Sequence, residues 1–254
     1  MLKYNTLKYF FWAVCAGTVV YALFVQCIPV YFLIALISIW LGYIILGAFR
    51  MRAEIFLPSI CSLPHTSEKN IILTFDDGPH PVYTPLILDI LKHYQATAIF
   101  FCIGKNITLY PELVNRIVAE GHIVANHSYN HSNMIGMYPT SKVISEIEQT
   151  ESEIIRCVGS SLKLYRPPFG VTNPNIGRAV QSLNMKAIGW NVRSFDTVSK
   201  NKTEVLNRIT PGLKNGDILL FHDTIKLTTE ILAGFLLFAN DKGFTFDNNP
   251  VRKL

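Results

Sequence analysis

Charge is missing from a long part of this 254-residue chain: positions 9 to 49 run for 41 residues without an Asp, Glu, Lys, Arg or His. A bilayer-spanning helix needs about 20 apolar residues. The run is therefore long enough for two spans, with Gln26, Cys27 and Pro29 at the expected hairpin turn. A cleaved signal peptide has an apolar core of only about 7–15 residues, so a retained anchor is the expectation. A pair of buried core helices is the alternative, and the length and purity of the run oppose it. Acid is also missing before Glu54, whereas Lys3, Lys8, Arg50 and Arg52 flank the run. From Ala53 onward 19 basic residues face 18 acidic ones, so nearly all of the formal +5 is a membrane-flank signature. That balance excludes a nucleic-acid footprint.

Cysteine pairs are absent too. Cys15, Cys27, Cys61, Cys102 and Cys157 show no C-x-x-C spacing, and two of them lie in the apolar run. This excludes a disulfide framework and a zinc–cysteine site. The cysteines are expected as small buried apolar residues. There is no internal repeat and no low-complexity segment.

What is present, from residue 70 onward, is alternation. Residues 70–75, 96–104, 122–126, 162–166, 186–192 and 216–222 read as strands, with 244–246 as a last short one. Thr84-Pro85 reads as an N-cap and first helical residue before LILDILKHY. Residues 111–120 read as a helix stopped by Gly121, and 224–242 as one stopped by Gly243. Residues 175–184 and 201–209 read as two more. Residues 141–159 form a long helix with Val143, Ile147, Ile154 and Ile155 on its apolar face.

Such alternation means parallel strands with helices outside. About seven units over roughly 200 residues predict an α/β fold, a distorted and incomplete (β/α) barrel behind a helical hairpin. The expected division is an anchor over 1–52, a linker over 53–69 and one domain over 70–254. In such barrels the site gathers at the C-terminal strand ends. Asp76, Asp77, His127, Arg166, Asp196 and His222 all fall at or just past predicted strand ends.

ILTFDDGPHP, residues 72–81, sets two carboxylates side by side at a strand end. Like charges there repel and are costly to desolvate. Asp-Gly-Pro is also ordinary turn chemistry, a reading that the shared placement of the other polar residues opposes. NHSYNH holds His127 and His131 four apart. On a helical turn both imidazoles face one side and could share a metal; a polar loop is the alternative. Ser128 stands where H-E-x-x-H needs its glutamate, which excludes that metalloprotease motif. The Asp pair can supply what is missing. One carboxylate completes a two-His, one-Asp site, and the other stays free to accept a proton.

TFDDGP, HSYNH, RPPFG, WNVRSFD and ILLFHD follow in this order between about Ile71 and Asp223. They resemble the five motifs of the polysaccharide deacetylase family, the NodB-like carbohydrate esterases of family 4. The resemblance implies a metal-dependent hydrolase that removes N-acetyl groups from an amino-sugar glycan. It implies Asp76 as general base, and Asp77, His127 and His131 as ligands of a divalent ion. Zinc is the first expectation, with cobalt, nickel or manganese as alternatives. It implies Arg166 as the group that holds the base ionised. It implies His222 as the general acid for the leaving amine, with Asp196 orienting it. An oxyanion needs donors. Pro167 and Pro168 carry no N–H, so Phe169 N–H is expected to be one.

Two departures stand out. Phe169 replaces the Tyr common in the family, and Thr197 follows Asp196 where Trp is frequent, with Trp190 upstream instead. Leu220 and Phe169 are expected to form part of the apolar wall around the acetyl group.

An anchored domain lies beside the envelope. The expected partners are therefore an N-acetylated envelope glycan, peptidoglycan foremost, and the bilayer around residues 9–49. The expected location is a bacterial cell membrane. Basic residues at both ends of a hairpin favour a cytoplasmic domain, whereas a single span places it outside; both topologies stay open, with the outside carried forward. A deacylase of a lipid-linked sugar and a non-catalytic glycan-binding relative are the alternatives. A two-His, one-carboxylate iron oxygenase is a further one, opposed by the Asp–His acid–base pair it does not need.

Overall fold

The computed structural model describes residues 2–25, 30–64 and 69–252. Two long helices lead the chain, α1 (Leu2–Val25) and α2 (Val30–Phe49). They meet through stacked rings, Phe11 and Trp40 lying 4.5 Å apart. Within α2, Tyr31–Phe49 is long and apolar enough to cross a membrane, and it is the one such stretch among the described residues. α1 begins with Lys3, Asn5, Thr6 and Lys8, which lowers its mean hydropathy. Two spans are thus reduced to one candidate. The expected turn at Gln26, Cys27 and Pro29 lies outside the described residues.

Among the described residues eight parallel strands follow: β1 (Ser59–Ile60), β2 (Ile72–Asp76), β3 (Ala98–Cys102), β4 (Ile123–Asn126), β5 (Leu164–Tyr165), β6 (Lys186–Ile188), β7 (Val192–Arg193) and β8 (Ile218–His222). Their order is β1-β6-β5-β4-β3-β2-β8-β7. Around them run α3 (Tyr83–His93), α4 (Gly104–Leu109), α5 (Pro111–Ala119), α6 (Thr140–Val158), α7 (Pro174–Ser182), α8 (Lys202–Ile209), α9 (Lys226–Asp241) and α10 (Asn249–Arg252).

The incomplete barrel is confirmed, with eight strands where about seven were expected. The single run expected at 186–192 is two strands, β6 and β7, with Gly189, Trp190 and Asn191 between them. Ser59–Ile60, inside the segment read as a linker, pairs with β6. Ile55, Phe56 and Leu57 before it are buried. At 244–246 there is only an isolated bridge, Asn70 to Thr245.

The split strand explains the curl. β6 and β7 are six strand spacings apart in the order, which is about 29 Å in a flat sheet. The four residue steps from Ile188 to Val192 reach at most about 14 Å. The sheet must roll until its two ends approach. Leu63 N–H donates to Gly216 O at 2.8 Å and Asn191 Oδ1 accepts from Ile218 N–H at 2.8 Å, which ties the closure.

Strand alternation then sorts the side chains. Ile72, Ile99, Phe101, Ile123, Leu164, Ile188 and Ile218 share the interior cluster. Leu73, Phe75, Phe100, Leu219 and Phe221 pack instead against α3 and α9 through Ile87, Leu91, Ile231 and Phe235. Each such burial contributes about 1.5–3 kcal/mol. Both faces are covered, so the strands read as nearly continuous apolar runs. The same alternation turns Thr74, Asp76, Leu220 and His222 inward, on the register of Ile72 and Ile218.

Two local expectations differ. Ile155 is exposed on α6, while Glu146 and Glu151 are buried because Asn130 and Asn126 bond to them. Thr84 lies within α3 rather than capping it; its hydroxyl donates to Asp223 Oδ2 at 2.6 Å.

Candidate active site

Asp76 ends β2 inside the barrel mouth, 4 % exposed. Arg166, just past β5, is wholly buried and reaches it: Nη1 donates to Asp76 Oδ1 at 2.6 Å. The same guanidinium donates to Thr74 Oγ1 at 2.8 Å, Ile188 O at 3.0 Å and Gly189 O at 2.9 Å. It also lies 4.0 Å above the Phe101 ring. Burial lowers the Arg166 pKa, and the Asp76 carboxylate opposes that. A charge so buried persists only when paired and fully hydrogen-bonded, which is the case here.

Asp77, His127 and His131 come together as the sequence implied. One donor atom from each lies within 4.8 Å of the others. Asp77 Oδ1 is 3.4 Å from His127 Nε2 and 3.2 Å from His131 Nε2. Donors held tetrahedrally at about 2.0–2.1 Å from zinc stand about 3.3 Å apart, so these residues fit such an ion. His127 Nδ1 is engaged by Arg166 O at 2.8 Å, the kind of outer contact that orients a ligand imidazole.

The electrostatics agree. Burial pushes Asp77 up, but His127 and His131 outweigh it and hold it near 2. Burial, then His127, lowers His131 to about 4, so it is neutral near pH 7 as a ligand must be. Burial opposes charge on His127, yet Asp76 and Asp77 raise its pKa: this corner is short of positive charge.

The two histidines do not share a helical turn. Ser128 (φ 64°) and His131 (φ 50°) are left-handed, and the loop folds back to bring the rings to 4.9 Å. Asp77 (φ 78°) and Phe169 (φ 59°) are left-handed too. Such residues cost about 1–3 kcal/mol each and gather at functional sites.

His222 is the β8 register partner of Asp76. Its Nδ1–H donates to Asp196 Oδ1 at 2.8 Å and its backbone N–H to Oδ2 at 2.8 Å. Thr228 Oγ1 also donates to Oδ2, at 2.7 Å. Burial works against the imidazolium, but Asp196 outweighs it and raises the His222 pKa. Burial likewise opposes the Asp196 anion, and the bonds from His222 and Thr228 reverse this and lower it.

Phe169 is half-exposed, with its ring 4.6 Å from that of His131. Leu220 is buried one layer below His222 on the same face of β8. Trp190 lies against Gly170, where an added Cβ would be 2.4 Å from its ring.

Sequence reasoning passed over Thr74, Thr228 and Asp223. A Thr inside an apolar strand was the available signal for the first. Asp223 is fully buried beneath the Asp77–Gly78 turn, with Oδ1 unpaired; burial raises its pKa to about 7.

The family model described as "Polysaccharide deacetylase" matches residues 64–188. The peptidoglycan-N-acetylglucosamine deacetylase PgdA of Listeria monocytogenes is 32 % identical over 195 residues, 75 % of this chain and 41 % of that protein. A peptidoglycan-N-acetylglucosamine deacetylase of Bacillus cereus is 34 % identical over 192 residues, 71 % of this chain and 86 % of that protein. The structure of peptidoglycan deacetylase PdaC from Bacillus subtilis superposes with a TM-score of 0.66 at 31 % identity, covering 71 % of this chain and 87 % of that one. Against PgdA, then, the chain spans about two fifths of the relative's length. On the motifs, the curled parallel sheet and these similarities, the chain belongs to the polysaccharide deacetylase family.

Proposed function

We propose that this protein hydrolyses the N-acetyl group of an amino-sugar glycan of the cell envelope, with peptidoglycan as the substrate class named for its relatives. The observation that carries the reading is the pairing of two locked groups. Asp76, held by Arg166, and His222, held by Asp196, are register partners beside the Asp77–His127–His131 cluster.

In this reading Asp77, His127 and His131 hold a divalent ion, zinc first. When bound, it supplies a Lewis acid for the acetyl carbonyl and makes water more acidic. Asp76 accepts the proton of the attacking water, and Arg166 keeps that carboxylate aimed through its 2.6 Å bond to Oδ1. Water oxygen joins the carbonyl carbon, the C–N bond breaks, and acetate and a free amine result. His222 gives the proton to the leaving nitrogen; the Asp196 contact keeps it charged until then. Phe169 N–H faces the developing oxyanion, and Leu220 with the Phe169 ring lines the acetyl side.

The domain reading is an anchor over 1–52, a catalytic domain over 70–254 and a connection over 53–69, of which Ser59–Ile60 pairs with β6. The anchor lies in the cell membrane with the domain outside. A non-catalytic relative has no need of two locked acid–base groups, and an iron oxygenase has no need of Asp76 or His222.

The test is acetate release from N-acetylglucosamine oligomers and from purified peptidoglycan. Release should require zinc or cobalt, stop with chelator and be absent in Asp76→Asn. Undiminished release by Asp76→Asn would overturn the assignment.

A further inference from the structure

The end of α2 is built into the catalytic face. A helix leaves its last four carbonyls without intrahelical partners. Two of those in α2 are taken by the loop that carries Phe169. Thr172 N–H donates to Ala48 O at 2.9 Å, and Thr172 Oγ1 to Gly47 O at 2.5 Å. The candidate span therefore stops at the rim of the site.

A cavity of about 190 Å³ sits at this junction. Arg50 and Arg52 enter it from the end of α2, Arg193 from β7, and Gly170, Trp190 and Asn191 from the site side. Among the described residues the arginine ion pairs fall on Arg116, Arg156, Arg166 and Arg208, and none on these three. Arg193 Nε is buried without a hydrogen-bond partner. Its guanidinium is held 4.6 Å from the Phe195 ring and 5.7 Å from that of Trp190. Arg50 and Arg52 alone would be ordinary membrane flanks. Arg193 comes from elsewhere in the sequence and converges on them, which gathers three guanidinium groups without ion pairs at one cavity. Guanidinium forks match phosphate oxygens.

The same face carries exposed apolar residues. Met134 and Met137 follow β4, Phe169 follows β5, and Phe195 and Val198 follow β7. Met137 is 76 % exposed and Val198 72 %. Side chains of this kind around the end of a membrane helix suit a face seated in the bilayer interface.

We propose that the Arg50–Arg52–Arg193 cavity binds the phosphate of a lipid-linked, N-acetylated amino sugar, and that this is the substrate class of the site. The inference rests on the deacetylase chemistry of the proposed function and puts a lipid-linked sugar in place of the polymeric glycan as its substrate. Gly170 belongs both to the cavity wall and to the loop of Phe169, so a phosphate held there sets the attached sugar beside the acid–base pair. The amide is cleaved as above, and the phosphate ester is untouched.

The test uses the full chain carrying Asp76→Asn, in neutral phosphatidylcholine nanodiscs, so that nothing turns over. Polyisoprenyl phosphate is titrated against the corresponding alcohol, with thermal stabilisation as readout. The phosphate should stabilise and the alcohol should not. Arg193→Gln and Arg50→Gln should each weaken the response at least tenfold, and Arg193→Lys should restore only part. An equal response in the arginine variants overturns the proposal. So does an arginine-dependent response of the same affinity to phosphatidylglycerol vesicles, which marks a headgroup site, or to inorganic phosphate, which marks a free-anion site. In the wild-type chain, kcat/KM for the lipid-linked sugar should exceed that for N-acetylglucosamine oligomers. Metal-dependent acetate release from oligomers without phosphate binding sinks this inference and leaves the deacetylase reading standing. Phosphate binding without acetate release from any substrate sinks the deacetylase reading and the substrate assignment with it, and leaves only an anion site.

Discussion

Arg166→Met removes one guanidinium and, with it, the partner of a buried carboxylate. Met follows the aliphatic stem and can keep part of the contact with Phe101. It cannot donate to Asp76, Thr74, Ile188 O or Gly189 O, which together take four bonds of 2.6 to 3.0 Å. Breaking a buried ion pair on one side costs about 3–5 kcal/mol, chiefly because the other charge stays buried and alone. For a domain of this size 1 kcal/mol moves Tm by about 2–4 °C, so a fall of roughly 6–20 °C is expected. The assay is thermal unfolding followed by near-UV circular dichroism on the full chain in detergent. The double variant Asp76→Asn/Arg166→Met separates the causes. Removing the stranded charge should return about 1–3 kcal/mol relative to the sum of the single variants. A loss below about 1 kcal/mol in Arg166→Met, or strict additivity in the double variant, would refute the view that this pair is the electrostatic centre of the site.

Asp77→Ala and His127→Ala should each abolish retention of zinc after dialysis, measured by elemental analysis, together with acetate release. Chelator should silence the wild-type chain and zinc should restore it. Asp196→Asn should move the alkaline limb of the kcat/KM profile to lower pH, because Asp196 is what raises His222 against its burial. The same pair makes a stability window. The His222 share is complete below its ordinary 6.5 and is lost as pH rises through the raised folded value. The Asp196 share is present above 3.8 and is lost as pH falls through the lowered folded value. Asp196→Asn should therefore cost most between these two pH values, as urea unfolding at several pH values would show. Gly78→Ala would place a Cβ 2.0 Å from Asp223 Oδ2. It should cost about 1–3 kcal/mol, and Asp223→Ala in the same chain should return part of it while Asp223→Asn does not.

Much of the site could be read from the chain because parallel strands put their polar ends together. Asp76 and His222 end two fully buried strands, and an apolar run closed by an acid or an imidazole is visible in one dimension. Arg166 and Asp196 stand just past strand ends as well, and the five motifs supplied their roles. What could not be read was position off the periodic elements. The approach of His127 to His131 comes from left-handed residues in a loop, which no 3.6-residue spacing announces. Ile155 fits the helical period of α6 yet faces outward, because Glu146 and Glu151 on that helix take buried places opposite Asn130 and Asn126. Composition gave no reason to bury two glutamates.

The largest misreading, the single strand over 186–192, is also the most instructive. Local propensity makes KAIGWNV one extended run, and nothing in it signals that Lys186–Ile188 and Val192–Arg193 belong to distant places in the strand order. The reason is tertiary and lies in the three residues between. Gly189 has no space for a Cβ, which would be 2.5 Å from Cys61 Sγ, and its carbonyl accepts from Arg166. Trp190 fills the space against Gly170, and Asn191 bonds to Ile218 N–H and Asp217. Each contact belongs to a different wall: β1, the loop of Phe169, β5 through Arg166, and β8. The crossing that rolls the sheet is therefore also what holds the arginine that holds the base. Closing the barrel and aiming Asp76 are one packing event, so a variant that loosens the crossing should lose activity before it loses the fold.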